Sequence, residues 1–210
     1  SALRLDETTT SNGVTRSQAL TEGESLLRAG KVAALIVAGG QGSRLGFDKP
    51  KGMLPIGPVS QRTLFQMLAN KIEALQRHYE VTIPLLIMTS PSVHHETEGY
   101  FKEHDYFGLI DSVEFFCQGT LPVIDSRSGQ ILLQSPHAIS VSPNGHGGVI
   151  EALVADKLLD KYQQAGIEHL FFGQIDNPLS PTCCPELIGF HSLTNSAVTL
   201  QAIAKQGVLD

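Results

Sequence analysis

Two cations among glycines are the residues here best suited to chemistry. Gly39, Gly40, Gly42 and Gly46 are interleaved with polar residues, Arg44 sits among them, and Lys51 follows Pro50. Glycines let backbone N–H groups approach a ligand, and successive N–H groups in a turn make an anion-binding concavity. Arg44 offers a planar fork and Lys51 a compact point charge, both suited to phosphate. The stretch reads as an anion-binding loop, because a plain connector needs neither a basic pair nor so many glycines.

Two better-known glycine loops do not account for it. A dinucleotide-binding turn places its third glycine three positions after the second and opens a helix, whereas Gly46 follows Gly42 by four and Pro50 interrupts any helix there. A P-loop needs a hydroxyl directly after its lysine, but Gly52 and Met53 follow Lys51.

Other candidates lie further along. Gln118 carries both a donor and an acceptor amide group, and reads either as a ligand contact or as a turn residue satisfying nearby backbone. Pro143-Asn144-Gly145-His146-Gly147-Gly148 is a second glycine loop that opens a helix N-terminus, a place that favours negative charge. His146 there would touch a phosphate or cap the loop. Asp176, before Asn177-Pro178, would hold a divalent cation whose other positions are filled by phosphate and water, or would start a turn.

The elements that must position these residues are legible as hydrophobic patterns. Val32-Ala33-Ala34-Leu35-Ile36-Val37-Ala38 is a continuous apolar run ending in glycines, as expected of a strand buried on both faces of a parallel sheet. Ligands sit at the C-terminal ends of such strands. Helices are predicted over residues 17–29, 63–78 and 93–103, and strands over residues 84–89, 113–117 and 169–175. A β-hairpin is predicted around Ser126-Arg127-Ser128-Gly129, a long helix after the second glycine loop, a short helix over residues 186–192 and a last strand over residues 197–203. The alternation predicts an α/β fold with a doubly wound, Rossmann-like, mostly parallel sheet and an inserted hairpin. Residues 1–30 are expected to form an N-terminal arm, loose over residues 1–15, and a helix, and residues 31–210 a single α/β domain.

Composition narrows the partners. The net charge of −6 argues against a nucleic-acid or membrane-surface partner, and no apolar run approaches the ~20 residues that cross a bilayer. A cytoplasmic location is expected. Cys117, Cys183 and Cys184 fit neither a disulfide framework nor zinc spacing, so they are read as reduced core or loop residues.

The loop Ala38-Gly39-Gly40-Gln41-Gly42-Ser43-Arg44-Leu45-Gly46 with Pro50-Lys51-Gly52 closely resembles the signature of the eukaryotic-type UDP-sugar pyrophosphorylases, most closely the UDP-N-acetylhexosamine branch. Ile87-Met88-Thr89-Ser90, Tyr106-Phe107-Gly108-Leu109, Gln118-Gly119-Thr120-Leu121-Pro122, the second glycine loop and Asp176-Asn177 follow in family order. The resemblance implies a nucleotide-diphospho-sugar transferase fold and transfer of UMP from UTP to a sugar 1-phosphate, N-acetylglucosamine 1-phosphate first, with Mg2+ as cofactor. By the same resemblance, Arg44 and Lys51 act on phosphates, Val37, Ala38, Gly39, Gly40, Gln118 and Gly145 contact UTP, and Asp176 serves UTP and the metal; His146, from its place at the helix N-terminus, touches the sugar phosphate or caps the loop.

His146 stands where the hexosamine enzymes usually carry Asn and the UDP-glucose relatives carry His, so the resemblance leaves the sugar open. Family members continue well past residue 203, so the domain is expected to be cut short at its C-terminal side and inactive alone. The alternatives are a UDP-glucose or broad-specificity enzyme, or a UTP-binding module without turnover; the oligomeric state is open.

Overall fold

The computed structural model describes residues 13–202. In chain order its elements are α1 (Arg16–Arg28), β1 (Val32–Val37), α2 (Leu64–Tyr79), β2 (Leu85–Thr89), α3 (His94–Glu103), β3 (Val113–Cys117), β4 (Thr120–Pro122), β5 (Leu133–Ser135), β6 (Ala138–Ile139), β7 (Val141–Pro143), α4 (Val149–Ala155), α5 (Leu158–Gln164), β8 (His169–Gln174) and α6 (Pro185–Leu193). Residues 1–12 of the expected arm lie outside the described residues.

β1 is the centre. Every residue of β1 and of β2 is buried, which is why both read as unbroken apolar runs. Alternation sends Ala34 and Ile36 to one face, against Phe65, Leu68 and Ile72 of α2, and Phe101 of α3 joins the same core. Ala33, Leu35 and Val37 go to the other face, against Val149 and Leu153 of α4 and Leu158 of α5. Helices therefore cover both faces of a parallel sheet ordered β3-β2-β1-β8, as the doubly wound pattern predicts. A capping box starts each of the two helices that flank β1 in the chain, Thr15 with Gln18 and Thr63 with Gln66.

The last helix, α6, packs on α1 at near-backbone distance. A Cβ added to Gly23 would stand 1.8 Å from the Pro185 carbonyl oxygen, and one added to Gly189 1.8 Å from that of Ala19. Both glycines are required by the crossing.

Three elements differ from the sequence pattern. The long helix expected after the second glycine loop is divided into α4 and α5, with Lys157 between them in a left-handed conformation at φ 56°. Leu153 and Leu158 both reach the same core, yet residues five apart sit about 140° apart around one continuous helix, so the break aims both at the sheet. The hairpin is larger than expected. Ile124 bridges Ile131 near its tip, and the antiparallel pairs β4 with β7 and β5 with β6 extend it into an arm.

The strand expected over residues 197–203 does not form at residues 197–202, and Ile203 lies outside the described residues. A strand needs a ladder partner, and among the described residues none pairs with this segment or with the outer edge of β8. Thr199 is held instead by its side chain, 2.9 Å from His191 Nδ1.

Candidate functional site

The sheet order supplies the location. The chain moves from β1 outward through β2 and β3, then returns to β8 on the other side of β1, so the winding reverses between β1 and β8. In open α/β sheets such a reversal leaves a crevice outside the C-terminal strand ends. Register brings those ends level: Val37 pairs with Met88 and Gln174, and Thr89 with Cys117. The residues that leave the sheet at this edge are Ala38, Ser90, Gln118 and, one residue past Ile175, Asp176.

The glycine loop is tied down along its length. The Ala38 N–H donates to the Met88 carbonyl at 2.7 Å and the Val37 carbonyl accepts from Ile175 N–H at 3.1 Å, so these two residues extend the sheet. Ser90 Oγ then donates to the Gly39 carbonyl at 2.7 Å. Beyond it, Gly42 N–H donates to the Lys49 carbonyl at 3.0 Å and Lys51 N–H to the Gly40 carbonyl at 2.9 Å, closing the loop on itself. Gly52 fixes the lysine turn by close approach, because a Cβ there would stand 2.2 Å from the Phe65 ring.

Gln118 lies across the loop from Gly39. Its side-chain nitrogen is 2.6 Å from where a Gly39 Cβ would be, so a larger residue there would push the amide out of this position. Its backbone N–H is held by the Thr89 carbonyl at 2.9 Å. The residue is only 7% exposed, and its Oε1 is buried without a hydrogen-bond partner among the described residues. A buried acceptor left unmatched costs on the order of 1–3 kcal/mol, which a bound donor would remove.

A second orphaned acceptor lies in the other glycine loop. Asn144 Oδ1 is buried without a partner among the described residues, while its backbone N–H donates to the Gly119 carbonyl at 3.0 Å and joins the loop to the residue after Gln118. Gly145 follows at φ 71°, ψ −163°, a conformation essentially reserved for glycine. His146 Nδ1 is 3.3 Å from Gln174 Nε2 at the end of β8, and its ring stands 6.3 Å from that of Phe172.

Lys51 Nζ donates to Asp176 Oδ2 at 2.9 Å, across the reversal point. Arg44 is exposed on the turn Ser43–Leu45 and makes no ion pair among the described residues. The structure thus joins Gly39 to Gln118, Lys51 to Asp176 and His146 to Gln174, and leaves Arg44 apart from these pairs.

Sequence reasoning did not single out Ser90 and Asn144, whose contacts hold the two glycine loops, or Lys71 of α2, whose Nζ donates to the Pro178 and Ser180 carbonyls just past Asp176. Lys71 has a readable signal: Leu64, Leu68, Lys71 and Leu75 share one helical stripe, and a charge inside an apolar stripe calls for a buried partner. Ser90 and Asn144 have none, since their contacts depend on which strands adjoin.

Among the described residues no group of three or more His, Cys, Asp or Glu could form a metal cage. Asp176 supplies one carboxylate beside a loop built for anions. That donor set suits Mg2+, which is commonly bound by one or two carboxylates together with substrate phosphates and water.

A family model described as UTP–glucose-1-phosphate uridylyltransferase matches residues 4–206. The UDP-N-acetylglucosamine pyrophosphorylase of Saccharomyces cerevisiae is 40% identical over 181 residues, 84% of this chain and 38% of the relative. The UDP-N-acetylhexosamine pyrophosphorylase-like protein 1 of Mus musculus is 34% identical over 212 residues, 98% of this chain and 40% of the relative. The crystal structure of the Trypanosoma brucei UDP-N-acetylglucosamine pyrophosphorylase in complex with an inhibitor superposes with a TM-score of 0.80 at 34% identity, over 86% of this chain and 38% of that one. The chain thus spans well under half the length of these relatives.

Proposed function

We propose, for a chain that belongs to the UTP–glucose-1-phosphate uridylyltransferase family, that it is the uridine-nucleotide-binding part of an enzyme that transfers UMP from UTP to a sugar 1-phosphate, N-acetylglucosamine 1-phosphate first. Gln118 carries the reading. Its unmatched Oε1 would accept from the imide N–H of uracil while its Nε2 donates to a uracil carbonyl, with Gly39 giving the base room to approach.

The triphosphate would then lie along the glycine loop toward Lys51 and Asp176. A non-bridging oxygen of the sugar phosphate attacks the α-phosphorus in line, the bond from that phosphorus to the β-bridging oxygen breaks, and pyrophosphate leaves. Such a reaction asks for positioning and charge neutralisation more than for a general base. Lys51 would turn from Asp176 to phosphate, and Arg44, exposed on its turn, would close on the same charge. Asp176 would hold Mg2+, which when bound supplies neutralisation of the crowded phosphate oxygens. His146, beside Gln174, would face the sugar phosphate.

The test is pyrophosphate release from UTP and Mg2+ across a panel of sugar 1-phosphates. The 210-residue chain alone is expected to bind UTP and stay silent. A longer polypeptide that carries this domain at its relatives' length is expected to turn over. Silence of that longer polypeptide across the whole panel, with UTP still bound, would leave a binding module in place of an enzyme.

A further inference from the structure

We infer that Lys71 is a positioning residue: from α2 it clamps the turn after β8 and so sets the Asp176 carboxylate, an inference that rests on the nucleotide reading above for what the carboxylate holds. Lys71 Nζ donates to two backbone carbonyls, those of Pro178 and Ser180, the second at 2.9 Å. Those carbonyls lie two and four residues past Asp176. The ammonium reaches them from a cleft lined by Ile36, Leu64, Leu68 and Phe171, beneath the point where β1 and β8 part.

The clamp matters because the turn has little else to hold it. Its remaining backbone bonds among the described residues are local, Asn177 N–H to the Gln174 carbonyl at 3.3 Å and Ser180 N–H to the Asn177 carbonyl at 3.1 Å. Beyond the sheet bond of Ile175, residues 176–180 are hydrogen-bonded to other elements by two lysines, Lys51 through the Asp176 side chain and Lys71 through the main chain. Lys51 is the one that a triphosphate would draw away. Lys71 has no such alternative, being half-buried with its donors engaged by carbonyls that carry no formal charge. Burial also pushes its amine down from the ordinary lysine value, the cost of holding a cation in that cleft. A methionine would fill similar space without that cost; what the ammonium adds there is the pair of hydrogen bonds to the two carbonyls.

Two substitutions test this, Lys71→Met to remove the donors at similar volume and Lys71→Arg to restore them. Hydrogen exchange across residues 175–182 reads the clamp without any ligand, and calorimetric titration of UTP at increasing Mg2+ reads the carboxylate. Lys71→Met is expected to speed exchange at residues 177–180 and to raise the Mg2+ concentration needed for half-maximal UTP binding by about tenfold, the scale on which supporting contacts alter metal affinity. Lys71→Arg is expected to recover most of both. Unchanged exchange in Lys71→Met would overturn the clamp, and faster exchange with an unchanged Mg2+ midpoint would reduce Lys71 to a structural tie. If the unaltered chain bound no UTP, the nucleotide reading would fail, while the exchange measurement would still decide whether Lys71 holds the turn.

Discussion

Lys51 and Asp176 neutralise each other at 2.9 Å with side chains 29% and 44% exposed, and a pair so open to water contributes about 0–1 kcal/mol to stability. Its value lies in what each partner can bind when they separate. Lys51→Ala is expected to leave the melting temperature nearly unchanged but to weaken UTP binding by about 10- to 100-fold, the loss of one charge-assisted hydrogen bond of about 1.5–3 kcal/mol. Asp176→Asn should act oppositely in part: it releases Lys51, so metal-free UTP binding holds or improves, while the increment from Mg2+ disappears. A full Mg2+ increment in Asp176→Asn would remove Asp176 from the metal site. These two residues and Gln118 were legible in the sequence because their types carry chemistry wherever the fold puts them. Ser90 and Asn144 were not, because a hydroxyl and an amide acquire their roles only from the carbonyls and glycines of other elements, while Lys71 shows in the sequence as a charge in an apolar stripe without showing which carbonyls it meets.

Among elements, the α1–α6 crossing makes the sharpest prediction. Alanine improves helix propensity over glycine by about 1 kcal/mol, which alone would make Gly189→Ala stabilising. Against this stands a Cβ 1.8 Å from the Ala19 carbonyl oxygen, a backbone atom that cannot swing aside, and overpacking of that kind costs about 1–3 kcal/mol or more. The clash should win, lowering the denaturant midpoint; a raised midpoint would show that the two helices do not approach as described. Strands β1 and β2 were readable because burial on both faces writes an unbroken apolar run, whereas β3 and β8, at the two edges of the sheet, are only partly buried and were read from shorter apolar runs interrupted by polar residues. The division of α4 from α5 was not, since it depends on where Leu153 and Leu158 must point. The segment over residues 197–202 has the alternation of a strand without a ladder partner among the described residues, and pattern alone does not supply one.

At the scale of the whole molecule, one core holds Leu27 of α1, Ile36 of β1, Ile72 of α2 and Ile188 of α6 together with Cys183, which is fully buried. Burial pushes the Cys183 thiol up to about 12. A folded value above the unfolded one means stability is intact below about pH 8.5, the ordinary thiol value, and is lost as pH rises toward 12. The denaturant midpoint should therefore fall through that alkaline window, and an alkylating reagent at pH 8 should reach Cys183 only after unfolding; rapid labelling of the native chain would contradict the packing. The same winding that builds this core places the glycine loop, Gln118, Lys51 and Asp176 at one sheet edge, where a uridine nucleotide is expected to bind. The direct measurement is displacement of a fluorescent UTP analogue from the chain in Mg2+ by unlabelled UTP and by ATP, repeated with Gln118→Leu. UTP should displace it far more effectively than ATP, and Gln118→Leu should erase most of that difference; equal displacement by ATP, or an undiminished preference in Gln118→Leu, would mean that Gln118 does not read uracil at this edge.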